Sequence, residues 1–176
     1  DCDTQNFQCA GGWMYEAYEY TQEHGIMLRG QYSHTYNPHP LKCAQTEEFH
    51  FKNTDQGEHD GMTNYEIREM VTQQPIGAAI YSTGMLQSYR KGIITEDYLH
   101  CSKENYEVNH GVVIVGFGSH TNEKVKGHCN DYWIIRNSWG GRWGEEGFFK
   151  LCADDPFTDK LPYGTCHINQ YGTWPI

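Results

Sequence analysis

Two side chains stand out for the chemistry they can do: His110 in Asn109-His110-Gly111, and Asn137 in Ile134-Ile135-Arg136-Asn137-Ser138-Trp139-Gly140. Imidazole exchanges protons near neutral pH. It serves a nucleophile as a base when something fixes which ring nitrogen carries the hydrogen. A carboxamide oxygen can do this by accepting the imidazole N–H and so aiming the other nitrogen. Taken alone, neither residue means much, because most histidines are surface or satisfied core residues and most asparagines outside helices form turns. The stretch between them carries the argument. Residues 112–118 and 132–136 are rich in β-branched and aromatic side chains, and 119–130 are polar. That pattern predicts strand, loop, strand, with the strands antiparallel. Folded about position 123 or 124, the hairpin sets His110 beside Asn137.

The same stretch resembles the papain family of cysteine proteases, and the cathepsin L-like branch in particular. The resemblance is carried by Asn109-His110-Gly111-Val112, Val115-Gly116-Phe117-Gly118, Tyr132-Trp133-Ile134, Asn137-Ser138-Trp139-Gly140 and Trp143-Gly144-Glu145-Glu146-Gly147-Phe148. It implies an α+β, papain-like two-lobe fold, with a helical lobe (here incomplete) and an antiparallel β-barrel lobe. Residues 1–58 would be the remainder of the helical lobe, 59–170 the β-barrel lobe, and 171–176 a tail crossing back. The implied activity is peptide-bond hydrolysis through Cys, His and Asn. His110 would be the acid/base, Asn137 its orienting group, and Trp139 a cover over the bond between them.

The nucleophile is the departure from the pattern. In the family it lies in a Cys-Gly-Ser/Ala-Cys-Trp/Tyr segment about 130–150 residues before the histidine. No such segment occurs in the 176 residues, and counting back places it roughly 20 residues ahead of Asp1. Three readings are open: a protein cut into two chains, a longer protein whose upstream part carries the cysteine, or a relative without activity. The last would be a papain-fold protein with a binding or structural role. Retention of His110, Asn137 and Trp139 favours an active intact enzyme. The expected partners are an upstream segment or second chain bearing the nucleophile, and peptide or protein substrates.

Cys9-Ala10-Gly11-Gly12-Trp13-Met14 matches the family's Cys-x-Gly-Gly loop. Its glycines, Gly11 and Gly12, let a substrate backbone approach closely. By resemblance, Gly12 offers its N–H and C=O to the substrate's P2 residue, and Trp13 and Met14 wall the S2 pocket. Ala79, Val108, Asn109, Gly111, Trp139 and Tyr171 complete the substrate-binding set that the resemblance implies, with Tyr171 near the pocket floor. The bland alternative for the loop is a glycine-rich helix entry with two core residues.

Seven cysteines suggest disulfides and a non-cytosolic compartment. The resemblance pairs Cys2 with Cys43 and Cys101 with Cys166, and pairs Cys9 with a cysteine outside the chain. It does not supply a bridge for Cys129 and Cys152. Pairing strand 132–136 with strand 147–151 about position 141 or 142 puts residue 131 opposite 152, which brings Cys129 within bonding reach. A zinc site is the rival reading for ten His and seven Cys, but no Cys-x-x-Cys occurs. No metal or cofactor is expected. A net charge of −10 argues against nucleic acid and anionic membranes as partners. A lysosomal, vacuolar or secreted location fits these features.

Several further elements frame the site. Residues 13–24 read as a helix with Trp13, Ala17 and Tyr20 on one face and Gly25 at its stop. Residues 27–60, with Tyr36, Pro38 and Pro40, read mostly as loop. Thr63-Asn64-Tyr65-Glu66 is a capping box opening a helix with Ile67, Met70 and Val71 on one face, and Pro75 ends it. Residues 76–81 read as a strand, Tyr89 to Ile93 as a turn and strand, and 154–162 as a polar insertion.

Overall fold

The computed structural model describes residues 2–28, 30–32, 42–44, 50–101, 107–119, 129–158 and 161–176. Most of the expected loop at 119–130 therefore lies outside the described residues, as do Tyr36, Pro38 and Pro40. The chain divides into one unit of Asp1–Glu58 with Thr173–Ile176 and another of His59–Gly172. The fold is α+β. No helix among the described residues is long and apolar enough to cross a membrane.

The first unit contains a short 3-10 turn, Gln8–Ala10, and helix α1, Met14–His24. Gly25 closes α1 by donating its N–H to the Thr21 carbonyl. The face carrying Trp13, Ala17 and Tyr20 is left unpacked: α1 has no buried residue, and Ala17 is exposed. Its anchor is Asn53, which is buried and donates from Nδ2 to the carbonyls of Tyr18 and Asp55. Residues 27–60 are not all loop, because Gln56–Asp60 form strand β1. This strand neighbours β7, Tyr171–Pro175. Gln-Gly-Glu-His-Asp lacks the apolar alternation of a strand. It is extended because a neighbouring strand supplies its ladder, a tertiary effect that propensity does not register.

The second unit holds α2 (Asn64–Val71), β2 (Ile76–Ile80), α3 (Gly84–Gln87), β3 (Ile93–Ile94), α4 (Glu96–Leu99), β4 (His110–Ser119), β5 (Asp131–Arg136) and β6 (Phe148–Cys152). The strands lie in the order β2-β4-β5-β6-β3, all antiparallel except β3 with β6. Trp133, Ile135, Phe149, Leu151, Ile114, Ile76 and Ile80 are fully buried and form the core of this sheet. Alternation along β5 explains the choice: Trp133 and Ile135 face inward while Tyr132 and Ile134 are only half-buried. α2 begins with the complete capping box. Glu66 N–H donates to the Thr63 hydroxyl oxygen, and the Thr63 N–H donates to the Glu66 carboxylate at 2.7 Å. Ile67 is its buried anchor.

Two registers differ from expectation. Val113 faces Arg136 and Ile114 faces Ile135, two residues further along β5 than a hairpin centred at 123 or 124 gives, and an irregularity follows between Ile114 and Gly116. Residue 152 faces Tyr132 rather than Asp131. Cys2 is bonded to Cys43, Cys101 to Cys166 and Cys129 to Cys152, while Cys9 is free and exposed. The one potential metal-ligand cluster among the described residues, Glu96 with Cys101 and Cys166, contains the two sulfurs of a disulfide and so offers no thiolate.

The cap yields a direct test. Thr63→Ala removes the acceptor for the Glu66 N–H, and urea unfolding should show a loss of about 1 kcal/mol. An unchanged midpoint and slope would mean that α2 does not depend on its box.

Candidate active site

The backbone first places the imidazole. His110 opens β4 and lies opposite Ile80, and Gly111 lies opposite Ala79. The preceding residue is pinned as well. The Asn109 N–H donates to the Ile80 carbonyl at 3.0 Å. The Asn109 side chain accepts the Ser82 N–H at 2.7 Å and donates to the Ser82 carbonyl at 3.1 Å. Thus three hydrogen bonds fix the backbone entering His110.

Asn137 is buried just past the end of β5. Its Oδ1 is 2.9 Å from His110 Nε2 and accepts the Ser138 N–H at 2.8 Å. The second contact decides the first. A backbone N–H only donates, so the carboxamide atom it meets is the oxygen, and His110 Nε2 must then be the donor. In a neutral ring Nδ1 is left with the lone pair. The arrangement therefore sets a tautomer: an imidazole whose Nδ1 takes a proton while Nε2–H stays held.

The loop after Asn137 is bonded to itself. The Asn137 N–H donates to the Gly147 carbonyl, Gly147 N–H to the Trp143 carbonyl, and Trp143 N–H to the Gly140 carbonyl. Gly144 has φ +59°, and a Cβ there would meet the Phe148 carbonyl at 2.6 Å, so only glycine fits. Trp139 lies against His110 with centroids 5.1 Å apart, and Trp143 meets Trp139 edge-on at 4.9 Å. Trp139 is itself 37% exposed, so it covers one side of the imidazole while presenting its other side to solvent.

Sequence reasoning missed what stands behind Trp143. Trp143 packs against Tyr89 and Phe149, and its Nε1 donates to the Gln87 carbonyl. Glu145 holds this group together. It accepts the Tyr89 hydroxyl at 2.6 Å, the Gly92 N–H at 3.1 Å and the Lys150 ammonium at 2.8 Å. Burial works against ionising Glu145, but Lys150, Tyr89 and the Gly92 N–H outweigh it, and the carboxyl titrates below its ordinary value. Burial first, and then the Glu145 carboxylate, push the Tyr89 hydroxyl far above its ordinary range. The spacing Trp-x-x-x-Trp-Gly-Glu was the available signal, but it names no partner.

The remaining expected site residues fall in both units. Gly11, Gly12, Trp13 and Met14 belong to the first. Ala79, Val108, Asn109, Gly111 and Tyr171 belong to the second. The first group has a clamp that no motif announced. Asn6 Oδ1 accepts the Trp13 N–H at 2.6 Å, and Asn6 Nδ2 donates to the Trp13 carbonyl and to Asp3. A Cβ on Gly12 would run into the Asn6 side chain. Gly12 is thus required by Asn6 packing as well as by any approach of a substrate. Ala79 and Gly111 pair directly across β2 and β4. Val108 precedes β4 and Tyr171 opens β7.

The family model for papain family cysteine proteases matches residues 1–176, and the chain belongs to that family. It is 34% identical over its whole length to the KDEL-tailed cysteine endopeptidase CEP2 of Arabidopsis thaliana, of which it covers 45%. It is 30% identical to Zingipain-2 of Zingiber officinale, again over its whole length, and covers 72% of that protein. Among solved structures, digestive procathepsin L 3 of the Tenebrio molitor larval midgut superposes with a TM-score of 0.79 at 29% identity, covering 99% of this chain and 52% of that one. The proform of the ragweed pollen cysteine protease Amb a 11 gives 0.80 at 30% identity, covering all of this chain and 49% of that one. The chain thus spans about half the length of several of these relatives and matches their C-terminal part, with fewer elements in its helical lobe than the full fold.

The Glu145 cluster predicts a pH signature. A depressed carboxyl contributes stability that is complete above the ordinary value of 4.5 and is lost as pH falls through the lowered one. Glu145→Gln should therefore destabilise the protein at pH 7, and the gap to wild type should narrow toward pH 3 in urea unfolding. A gap independent of pH would refute the charge as its source.

Proposed function

We propose that this chain is the His- and Asn-bearing part of a papain-like cysteine endopeptidase whose nucleophilic cysteine lies upstream of Asp1. The observation that supports it most directly is the oriented pair: Asn137 Oδ1, fixed by Ser138 N–H, compels His110 to donate from Nε2. A tautomer set in this way suits a base that deprotonates a thiol through Nδ1. The thiolate–imidazolium pair attacks a peptide carbonyl. The imidazolium then returns its proton to the leaving amine, and the neutral ring activates water to release the acyl group. The oxyanion donors belong to the nucleophile's segment.

Two features favour an upstream partner. Of the seven cysteines only Cys9 is free, and it sits in the exposed turn Gln8–Ala10. The first unit also exposes Phe7, Trp13, Ile26, Leu28 and Phe51, and its helix buries nothing. Apolar surface of this kind is what a missing segment of the same lobe would cover. The substrates proposed are peptides and proteins, and the compartment is lysosomal, vacuolar or extracellular, as the three disulfides suit. An inactive papain-fold binding protein is the outcome if the upstream residue proves not to be cysteine.

The purified 176-residue chain should hydrolyse no peptide, while the full-length protein should show turnover sensitive to E-64. His110→Ala in the full-length protein should cost about 10²–10⁴-fold in kcat/KM. E-64-sensitive activity in the isolated chain would overturn the assignment.

Specificity follows from the proposed S2 residues, which rest on the family resemblance. Trp13, Met14, Ala79, Val108, Gly111 and Tyr171 carry no charge, so an arginine at P2 would be desolvated without a counter-ion. Leucine, valine or phenylalanine should be preferred, each well-placed methylene contributing about 1–3 kcal/mol. If Tyr171 projects inward, Leu and Val should exceed Phe. A P2-varied fluorogenic library measures this, and arginine at or above leucine would show the pocket to be wrongly assigned.

A further inference from the structure

Asn6 holds one stretch of backbone from a single side. Its Oδ1 accepts the Trp13 N–H at 2.6 Å. Its Nδ2 donates to the Trp13 carbonyl at 3.3 Å and to Asp3 Oδ2 at 2.7 Å. These partners fix the carboxamide's orientation, because a backbone N–H needs the oxygen and a carboxylate needs the nitrogen. Asp3 is held in turn, since its Oδ1 accepts the Gln5 N–H at 2.8 Å.

Trp13 is extended, with φ −98° and ψ 142°, so its N–H and C=O leave the chain on one edge. Asn6 occupies that edge as a neighbouring strand would. The peptide bond between Gly12 and Trp13 is trans. In a trans peptide the C=O of one residue points opposite to the N–H of the next. With the Trp13 N–H turned to Asn6, the Gly12 carbonyl therefore points away from it. Gly12 is exposed, and among the described residues neither its N–H nor its carbonyl has a hydrogen-bond partner. On the side of Asn6 there is no room, because a Cβ on Gly12 would run into the Asn6 side chain. One carboxamide thus closes one side of the loop and leaves a backbone acceptor open on the other.

We propose that Asn6 is a positioning residue for peptide binding, holding the Gly12 backbone in the orientation in which an extended substrate pairs with it. This rests on the reading of Gly12 as the backbone partner of the P2 residue. Asn6 itself touches no substrate and acts through Trp13. The alternative is a clamp that only secures the start of α1, where Trp13 is the N-cap and has no side-chain cap bond. Such a clamp would act on every substrate alike, through the folded fraction. A positioning role acts only on substrates that reach Gly12, and it shows in KM rather than kcat.

Steady-state kinetics of the full-length protein separate the two with three substrates. These are a dipeptidyl aminocoumarin with leucine at P2, the same compound methylated at the P2 nitrogen, and p-nitrophenyl acetate, which has no P2 residue. In Asn6→Ala the KM for the dipeptide should rise about tenfold with kcat kept, the scale of one or two neutral hydrogen bonds. The kcat/KM for p-nitrophenyl acetate should not change. Methylation removes the donor that would meet the Gly12 carbonyl, so it should raise KM in wild type and matter less in Asn6→Ala. An equal loss on all three substrates in the variant, or an unchanged KM for the dipeptide, would overturn the proposal. So would equal KM values for the dipeptide and its methylated analogue in wild type, a measurement that does not require the variant to fold. Wild-type protein that hydrolyses none of the three would refute the catalytic reading and this proposal with it.

Discussion

The site depends on which way round one carboxamide is held. Asn137 has an oxygen and a nitrogen of nearly equal size, and either could face an imidazole. The Ser138 N–H removes the ambiguity by requiring Oδ1, and the hydrogen on His110 Nε2 follows from that. Asn137 is buried, so this pair of hydrogen bonds works in a medium less polar than water, where a mismatched donor or acceptor is costly. A backbone amide one residue along thus selects the tautomer of a ring on a different strand.

Much of the surrounding structure serves to keep that carboxamide in place. The loop from Asn137 to Gly147 closes on itself through three backbone hydrogen bonds, and Gly144 permits a turn that a side chain would block. Trp143 fills the space beneath, supporting Trp139 on one side and resting on Tyr89 and Phe149 on the other. Glu145 then ties Tyr89 and the Gly92 turn to Lys150 of β6. The carboxylate stays ionised because its three donors outweigh the cost of its partial burial. A carboxylate that reads in the motif as one more exposed acid instead ties the Gly92 turn and Tyr89 to Lys150 of β6.

The elements that sequence shows clearly are those with strong local signals. α2 has a capping box and an amphipathic run, and the helix is where that pattern puts it. β4 and β5 have dense β-branched and aromatic residues, and both are strands. Their register was harder. The observed pairing is displaced by two residues near His110, followed by an irregularity between Ile114 and Gly116. A slip of two at Val113 and Ile114 keeps their side chains on the expected face, whereas beyond the irregularity Gly116 to Ser119 are displaced by three, an odd slip. His110 lies on the stretch before the irregularity, and its ring reaches Asn137. β1 was not legible because Gln56–Asp60 has no apolar pattern and is a strand only through its neighbour. α3 and α4 are single turns, too short for periodicity to register. Asn6, which grips both backbone groups of Trp13, was invisible because a lone polar residue carries no period and no motif.

The division of the chain separates two kinds of requirement. Every hydrogen bond that sets the His110 tautomer or fixes Asn109 is made by residues of His59–Gly172. Asp1–Glu58 exposes Phe7, Trp13, Ile26, Leu28 and Phe51, and its helix buries nothing. The first set depends on short polar contacts inside a packed sheet, and the second is apolar surface still open to burial. Covering that surface would stabilise the first unit in rough proportion to its area, by about 25 cal/mol per Å². It would add nothing to the choice between Nδ1 and Nε2. The tautomer of His110 is therefore set within the β-rich unit alone. The stability of the first unit, by contrast, would rise with anything that covered its apolar surface.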